Sequence, residues 1–289
     1  MHSIIHPTGE HDYRRGIRHH FDGSSQTAEC SVEPGSAADL AKIMKVIKEH
    51  NVEFAVKGGG HTSNPGFSST RGIHIALSRF RRITYNEGNK ELTVGAGCLF
   101  HQISDYMRGR NRNIVGGGIG VGIGGWMTGG GYSLKTNQYG LGIDNLVQIE
   151  IVTPDGEVER AAEDLKSDLF WAVKGGGNNF GIVTEFVVKT HFQRPAYAKV
   201  LIFKEAHVED VKRAILEFIT RKDPKAAIVA AFRYYLKDSL ELRKDSLEDP
   251  KDSLEDLKDS LGGLKDFLED GSLSNFCYNY LLTRVASTV

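Results

Sequence analysis

Of the chain's 33 glycines, 16 are gathered into three clusters, at 58–60, 116–131 and 175–177. A glycine inside a helix or strand costs about 0.5–1 kcal/mol relative to alanine, so such clusters mark loops. Three of them oblige the chain to fold from short elements that alternate with turns. Each lies beside an apolar run of strand or helix length, which argues for loops that receive a ligand over general flexibility.

The first cluster is Lys57-Gly-Gly-Gly-His61, behind the apolar run Val52–Val56, which reads as a buried strand. Amides with no side chains in the way form a concave site for phosphate oxygens. His61 adds chemistry that a phosphate loop does not need, because imidazole is a nucleophile as well as a base. Taken alone, the five residues fit such a site and a solvated surface turn equally.

The second cluster has ten glycines between Gly116 and Gly131. Within it, Gly120-x-Gly122-x-x-Gly125 matches the dinucleotide fingerprint, with Asp144 downstream in the place of the ribose acid. A Rossmann unit needs a long helix after the third glycine, and Gly129–Gly131 would fall inside it at about 1 kcal/mol each. A second backbone cradle, with Thr128 and Tyr132 adding hydroxyl hydrogen bonds, accounts for the glycines better. Close packing of segments is the alternative, and a nicotinamide-dependent Rossmann dehydrogenase remains a third functional reading.

Around these loops the pattern predicts α+β material. A strand over Cys30–Val32 leads to Ser36 as N-cap and a helix over Ala37–His50, with Leu40, Ile43, Met44 and Ile47 as its buried stripe. Ile73–Leu77 and Glu91–Ala96 read as strands, Leu99–Met107 as a helix. Leu146–Val152 and Glu157–Arg160 form a hairpin about Pro154-Asp155-Gly156. A helix over Asp164–Val173, with Leu165, Leu169 and Phe170 on one side, leads to the third glycine loop and the strand Ile182–Val188.

Residues 1–26 read as a polar extension. Its adjacent His19 and His20 point apart on either a helix or a strand, so no metal site is assigned. Cys30, Cys98 and Cys277 are odd in number and lack ligand spacing. A net charge of −1 gives no electrostatic case for nucleic acid or an anionic membrane. The sequence also lacks an evident signal peptide or an apolar run of spanning length, so a cytoplasmic place is the default expectation.

The ordered motifs Lys57–His61, Asn64-Pro-Gly-Phe-Ser-Ser69, Val94–Gly97, Val121–Gly125 with Gly129–Gly131, Asp144-Asn145 and Asp168–Val183 resemble those of berberine-bridge-enzyme-like FAD-linked oxidases. These belong to the vanillyl-alcohol-oxidase superfamily, whose relatives are often secreted. The resemblance implies a PCMH-type FAD-binding domain of two α/β subdomains over 27–192. It implies that the FAD pyrophosphate lies against the first two loops. The contacts carried over are Lys57, Gly58, Gly59, Gly60, His61 and Thr62, then Gly120, Val121, Gly122, Gly124 and Gly125, with Thr128, Gly131 and Tyr132 beyond them. Asp144 and Asn145 follow, and Gly181, Ile182 and Val183 line the adenine side. The histidine that matches His61 bonds covalently to the flavin 8α carbon. Some relatives add a cysteine link where this chain has Gly118, so a single attachment is expected.

The resemblance fades after about Phe192. A shortened α+β substrate domain is expected over 193–289, with strands at Lys199–Lys204 and Ala226–Tyr235 and a helix at Val208–Thr220. Lys-Asp-Ser-Leu then recurs with a seven-residue period at 237, 244, 251 and 258, with a variant at 265. Leu240, Leu247, Leu254, Leu261 and Leu268 keep one heptad position, while Pro250 breaks the seam. A heptad-repeat helical insertion over 237–268, with self-association through 236–268, competes with a poorly ordered charged insertion. Tyr278 and Tyr280 read as core or edge-strand aromatics.

The expected function is an FAD-dependent oxidase with flavin on His61, acting on an alcohol, sugar or amine-type small molecule. A catalytic base is not assigned. The alternative of a different class is a catalytically inactive flavin-binding or interaction protein.

Overall fold

The computed structural model describes residues 3–193, 196–201, 203, 207–220, 222–233 and 279–287. The chain divides into two compact units, Met1–Gln193 and Arg194–Val289.

The first unit opens with β1 (Ile4–Pro7), α1 (His11–Ile17), β2 (Cys30–Glu33), α2 (Ala37–His50), β3 (Phe54–Lys57) and β4 (Ile73–Ala76). Helix α2 forms where local signals agree. The Ser36 side chain accepts from the Asp39 amide at 3.1 Å, and Asn51 closes the helix in the left-handed region. Leu40, Met44 and Ile47 are buried and Ile43 half-buried, the stripe that their spacing predicts. The sheet order is β1-β2-β4-β3, with β2, β4 and β3 parallel and β1 antiparallel on β2. Strand β3 is therefore an edge, and its Phe54 is exposed where the sequence suggested a buried run. Strand β1 and helix α1 come from the residues read as an extension. The Tyr13 hydroxyl donates to the Ala28 carbonyl at 2.6 Å, and a Cβ on Gly16 would meet Ser31 Oγ at 2.4 Å.

The chain continues through β5 (Ile83–Asn86), β6 (Glu91–Gly95), α3 (Phe100–Met107), β7 (Arg112–Asn113), α4 (Ile123–Thr128), α5 (Thr136–Tyr139), β8 (Leu146–Val152), β9 (Val158–Ala162), α6 (Ser167–Gly176), β10 (Ile182–Lys189) and β11 (His191–Phe192). Five of these strands form an antiparallel sheet of order β5-β6-β10-β8-β9. Leu40, Met44 and Ile75 share one core cluster with Val94, Ile149, Ile151 and Phe186, so the two sheets are welded into one hydrophobic interior.

Two sequence expectations are corrected. The Rossmann reading needs a long helix after Gly125 and a parallel strand beyond. Helix α4 has only six residues and stops at Gly129, and the sheet that follows is antiparallel. Helix α6 starts three residues later than predicted. Leu165 lies before it in a tight turn with Ala162 and is exposed, while Phe170 and Val173 supply the buried side.

In the second unit β12 (Ala196–Leu201), β13 (Ala226–Arg233) and β14 (Asn279–Ser287) form an antiparallel sheet of order β12-β14-β13. Helix α7 spans Val208–Thr220, as predicted, and Val211 and Ala214 pack with Leu201 and Phe203. Tyr280 lies in β14, while the heptad segment 236–268 and Tyr278 lie outside the described residues.

Candidate functional site

Strand β3 delivers Lys57 to the open edge of its sheet. The last ladder bond runs from the Leu77 amide to the Lys57 carbonyl at 2.9 Å. Beyond it the amides of Gly58, Gly59, Gly60, His61 and Thr62 find no acceptor among the described residues. Gly60, at φ +66°, turns the chain. Burial lowers the Lys57 ammonium to about 8, with Glu33 opposing and Arg15 reinforcing the shift, so the group keeps its proton at neutral pH. Its Nζ donates to the Arg18 carbonyl at 3.0 Å.

That bond belongs to a clasp from the N-terminal residues. The His20 amide donates to the Gly60 carbonyl at 2.8 Å, and Ser24 Oγ donates to the Thr62 carbonyl at 2.9 Å. The His20 ring stacks on His61 at 4.4 Å and 10°, and Phe21 meets His61 edge-on at 5.9 Å. Neither ring nitrogen of His61 has a hydrogen-bond partner among the described residues. Sequence reading missed this clasp. Its only signal was the paired histidines, considered there as metal ligands. His19 instead is buried, with Nδ1 on the Ile17 carbonyl and Nε2 on Ser68 Oγ, both at 2.8 Å. Burial is the main cause that lowers its pKa. Among the described residues no three His, Cys, Asp or Glu side chains are grouped to hold a metal.

The first two glycine loops touch through bare backbone. A Cβ on Gly59 would lie 2.5 Å from the Gly122 amide nitrogen, and one on Gly122 would lie 2.5 Å from that of Gly59. Ala96 supports both loops, its carbonyl 3.4 Å from the Cβ position of Gly58 and 3.2 Å from that of Gly124. The glycines of the second cluster divide into two kinds. Gly116 and Gly117 make room for Phe100, and Gly131, with Gly142, makes room for Trp126. Gly118, Gly120 and Gly125 face open space, with nothing within 4 Å of a Cβ. The packing reading thus holds for Gly116, Gly117 and Gly131, while Gly118, Gly120 and Gly125 leave the room that a backbone cradle needs. The amides of Gly120 and Gly122 also lack acceptors among the described residues, while Val121 is tied to Gly118 and Phe100.

The third loop joins this pair through the Gly177 amide, which donates to the Thr128 carbonyl at 3.1 Å. Thr128 itself is buried, with its hydroxyl on the Gly124 carbonyl. Gly142 and Ile143 donate to the carbonyls of Gly131 and Gly130, which brings the turn carrying Asp144 and Asn145 beside the second loop. Asp144 Oδ2 accepts from the Leu141 amide at 2.8 Å. Asn145 is buried and spends its amide group within the protein, donating to the Tyr139 and Leu141 carbonyls and accepting from His191 Nε2 at 2.6 Å. Tyr132 is exposed. Ile182 and Val183 bury their side chains in β10, opposite Val152 and Ile151, and Gly181 enters that strand at φ +143°.

These features suit a group that carries a diphosphate. Unclaimed amides from two loops and open space at Gly120 and Gly125 offer anion contacts without a clashing side chain. Residues 28–162 match the FAD binding domain family. The chain is similar to curated proteins described as FAD-linked oxidoreductases and FAD-dependent monooxygenases. It is 36% identical over 206 residues to an uncharacterized FAD-linked oxidoreductase of Arthroderma benhamiae, covering 70% of this chain and 41% of that protein. With an FAD-dependent monooxygenase of Arthrobotrys oligospora the identity is 33% over 208 residues, covering 71% and 41%. The chain thus spans about two fifths of the length of these curated relatives. The fold is shared with the BBE-like 1 protein of Physcomitrella patens, at a TM-score of 0.74 and 19% identity over 98% of this chain and 54% of that one. It is shared too with 6-hydroxy-D-nicotine oxidase of Arthrobacter nicotinovorans, at 0.74 and 18% over 99% and 81%. A glucooligosaccharide oxidase of Acremonium strictum, described with a 6-S-cysteinyl, 8α-N1-histidyl FAD, gives 0.69 and 20% over 98% and 58%.

Proposed function

We propose that the chain holds FAD with its pyrophosphate on the amides of the 57–62 and 120–125 loops, bonds it to His61, and serves the oxidation of a small molecule. The observation that carries this reading is the close backbone approach of Gly59 to Gly122, two residues before an imidazole whose nitrogens have no hydrogen-bond partner among the described residues. Lys57 would supply positive charge to the phosphate side, and Thr62 is anchored through its carbonyl so that its amide stays available. When bound, the flavin would supply the hydride acceptor that the protein's own side chains lack.

His61 would give up its ring N–H proton and gain an N–C bond to the 8α carbon, which loses one hydrogen. Forming that bond would leave two electrons and two protons, for which dioxygen, going to hydrogen peroxide, would be the acceptor. Gly118 has no thiol to offer, so the attachment is single. The names of fold neighbours, oxidases of gluco-, chito- and xylooligosaccharides and of 6-hydroxy-D-nicotine, support an alcohol, sugar or amine-type substrate. No catalytic base is assigned among the described residues.

The test is the visible spectrum of the purified chain before and after acid precipitation. Flavin absorbance that stays with the precipitate, and is lost in His61→Ala, is the expected result. A colourless protein would refute flavin binding, and flavin released wholly into the supernatant would refute the bond to His61. Peroxide formation from oligosaccharide or amine panels then separates an oxidase from a chain that binds flavin without turnover.

A further inference from the structure

We infer that His20 is a positioning residue for His61: its ring sets the plane in which the reactive imidazole is presented. This rests on the proposed attachment at His61 and adds a residue to it from a part of the chain outside the glycine loops.

A histidine that follows three glycines has little to fix its ring. The glycine backbone is permissive, and His61 makes no side-chain hydrogen bond among the described residues that would hold it. A nucleophile free to rotate loses most of the advantage of being held beside its target. In this structure the face of the ring is covered instead. His20 lies nearly parallel to it, at 4.4 Å and 10°, and Phe21 meets both rings edge-on, His20 at 4.8 Å and His61 at 5.9 Å. The backbone that carries the covering ring is anchored, by the His20 amide on the Gly60 carbonyl, Lys57 on the Arg18 carbonyl and Ser24 on the Thr62 carbonyl, and the ring itself is packed edge-on by Phe21. Stacking restrains the ring by its face and leaves its edge, where both nitrogens sit, uncommitted. A hydrogen bond would have restrained the ring by consuming one of those nitrogens. Parallel stacking also directs the nitrogens of the two rings edgewise in separate planes, which suits orientation better than shared ligation of an ion.

Full-length protein from a riboflavin-starved host tests this. FAD is added, and the acid-stable flavin is followed with time for wild type, His20→Ala and His20→Phe. Non-covalent affinity is measured separately with each His20 change in a His61→Ala background. Attachment in His20→Ala should slow by roughly tenfold to a hundredfold, the loss typical of a misplaced reacting group, with affinity and melting temperature unchanged. His20→Phe, which restores a planar face, should recover most of the rate. Wild-type rate in His20→Ala overturns the inference. So does a loss of affinity in parallel with rate, which would mark a merely structural residue, and so does a failure of His20→Phe to rescue. If the wild-type protein attaches no flavin at all, the proposed bond to His61 fails and the stack is tested alone. The His61 ring protons should then shift in the NMR spectrum of histidine-labelled His20→Ala, and their constancy overturns the inference.

Discussion

At the scale of single residues, the glycines carry the argument because they do two different jobs. Gly59→Ala would place a methyl group 2.5 Å from the Gly122 amide, backbone against backbone, where nothing flexible can yield. It should lower stability by about 1–3 kcal/mol, as overpacking does, and abolish FAD binding. Gly125→Ala is the contrast, since its Cβ would meet nothing within 4 Å and its residue sits in α4. The FAD-free protein should gain up to about 1 kcal/mol from helix propensity, while affinity for FAD falls because the methyl enters the open cradle. Urea denaturation and a flavin-fluorescence titration check both, and equal behaviour of the two variants would contradict the division. The sequence displays all these glycines alike. Which ones pack and which stand open depends on Phe100, Trp126 and the opposite loop, contacts that no local pattern encodes. His20 was illegible for the same reason, since its role exists only once the chain returns to Gly60.

At the scale of elements, what was legible is what local chemistry decides. Ser36 and the stripe of Leu40, Met44 and Ile47 specify α2 to the residue, and Pro154-Asp155-Gly156 specifies the hairpin of β8 and β9. Strands β1, β5, β7 and β11 were not legible and pairing makes them; length alone does not separate them from β2, β3 and β4, which also have four residues each. Docking between elements was also hidden. Gly156, at φ +71°, presses on α2 so closely that a Cβ would lie 2.6 Å from the Ala41 carbonyl. Gly156→Ala should therefore cost about 1–3 kcal/mol through left-handed strain and overlap together. Lys45→Ala, which removes the exposed pair with Glu157 at 2.9 Å and a side-chain stem that lies along Gly156, should change the urea midpoint little. A large loss from Lys45→Ala and none from Gly156→Ala would show that ion pairs, not packing, seat the hairpin on the helix.

At the scale of the molecule, the α+β class and the order of the loops followed from the sequence. The joining of two sheets through one core did not, because long-range packing has no periodicity of its own. That joint interior also fixes how the protein responds to acid. His74 is fully buried in β4, with Nε2 on the Gly16 carbonyl at 3.1 Å and Nδ1 without a hydrogen-bond partner among the described residues. Burial, then the charges of Lys57 and His19, lower it to about 3. His191, stacked on Tyr139 at 3.8 Å, is lowered to about 4 by burial, then by Lys135, Arg112 and Lys189. Both are bases whose folded pKa lies below the unfolded value near 6.5. Between those values the unfolded chain binds more protons, so stability is complete above about pH 6.5 and is lost as pH falls toward about 4 and then about 3. One such proton gives a slope of up to about 1.4 kcal/mol per pH unit. Urea midpoints measured between neutral pH and about pH 4 should fall steadily through this window. His74→Gln, which can still donate to the Gly16 carbonyl but does not titrate, should flatten the slope. An unchanged slope in that variant would mean that the buried imidazole is not kept neutral by the fold.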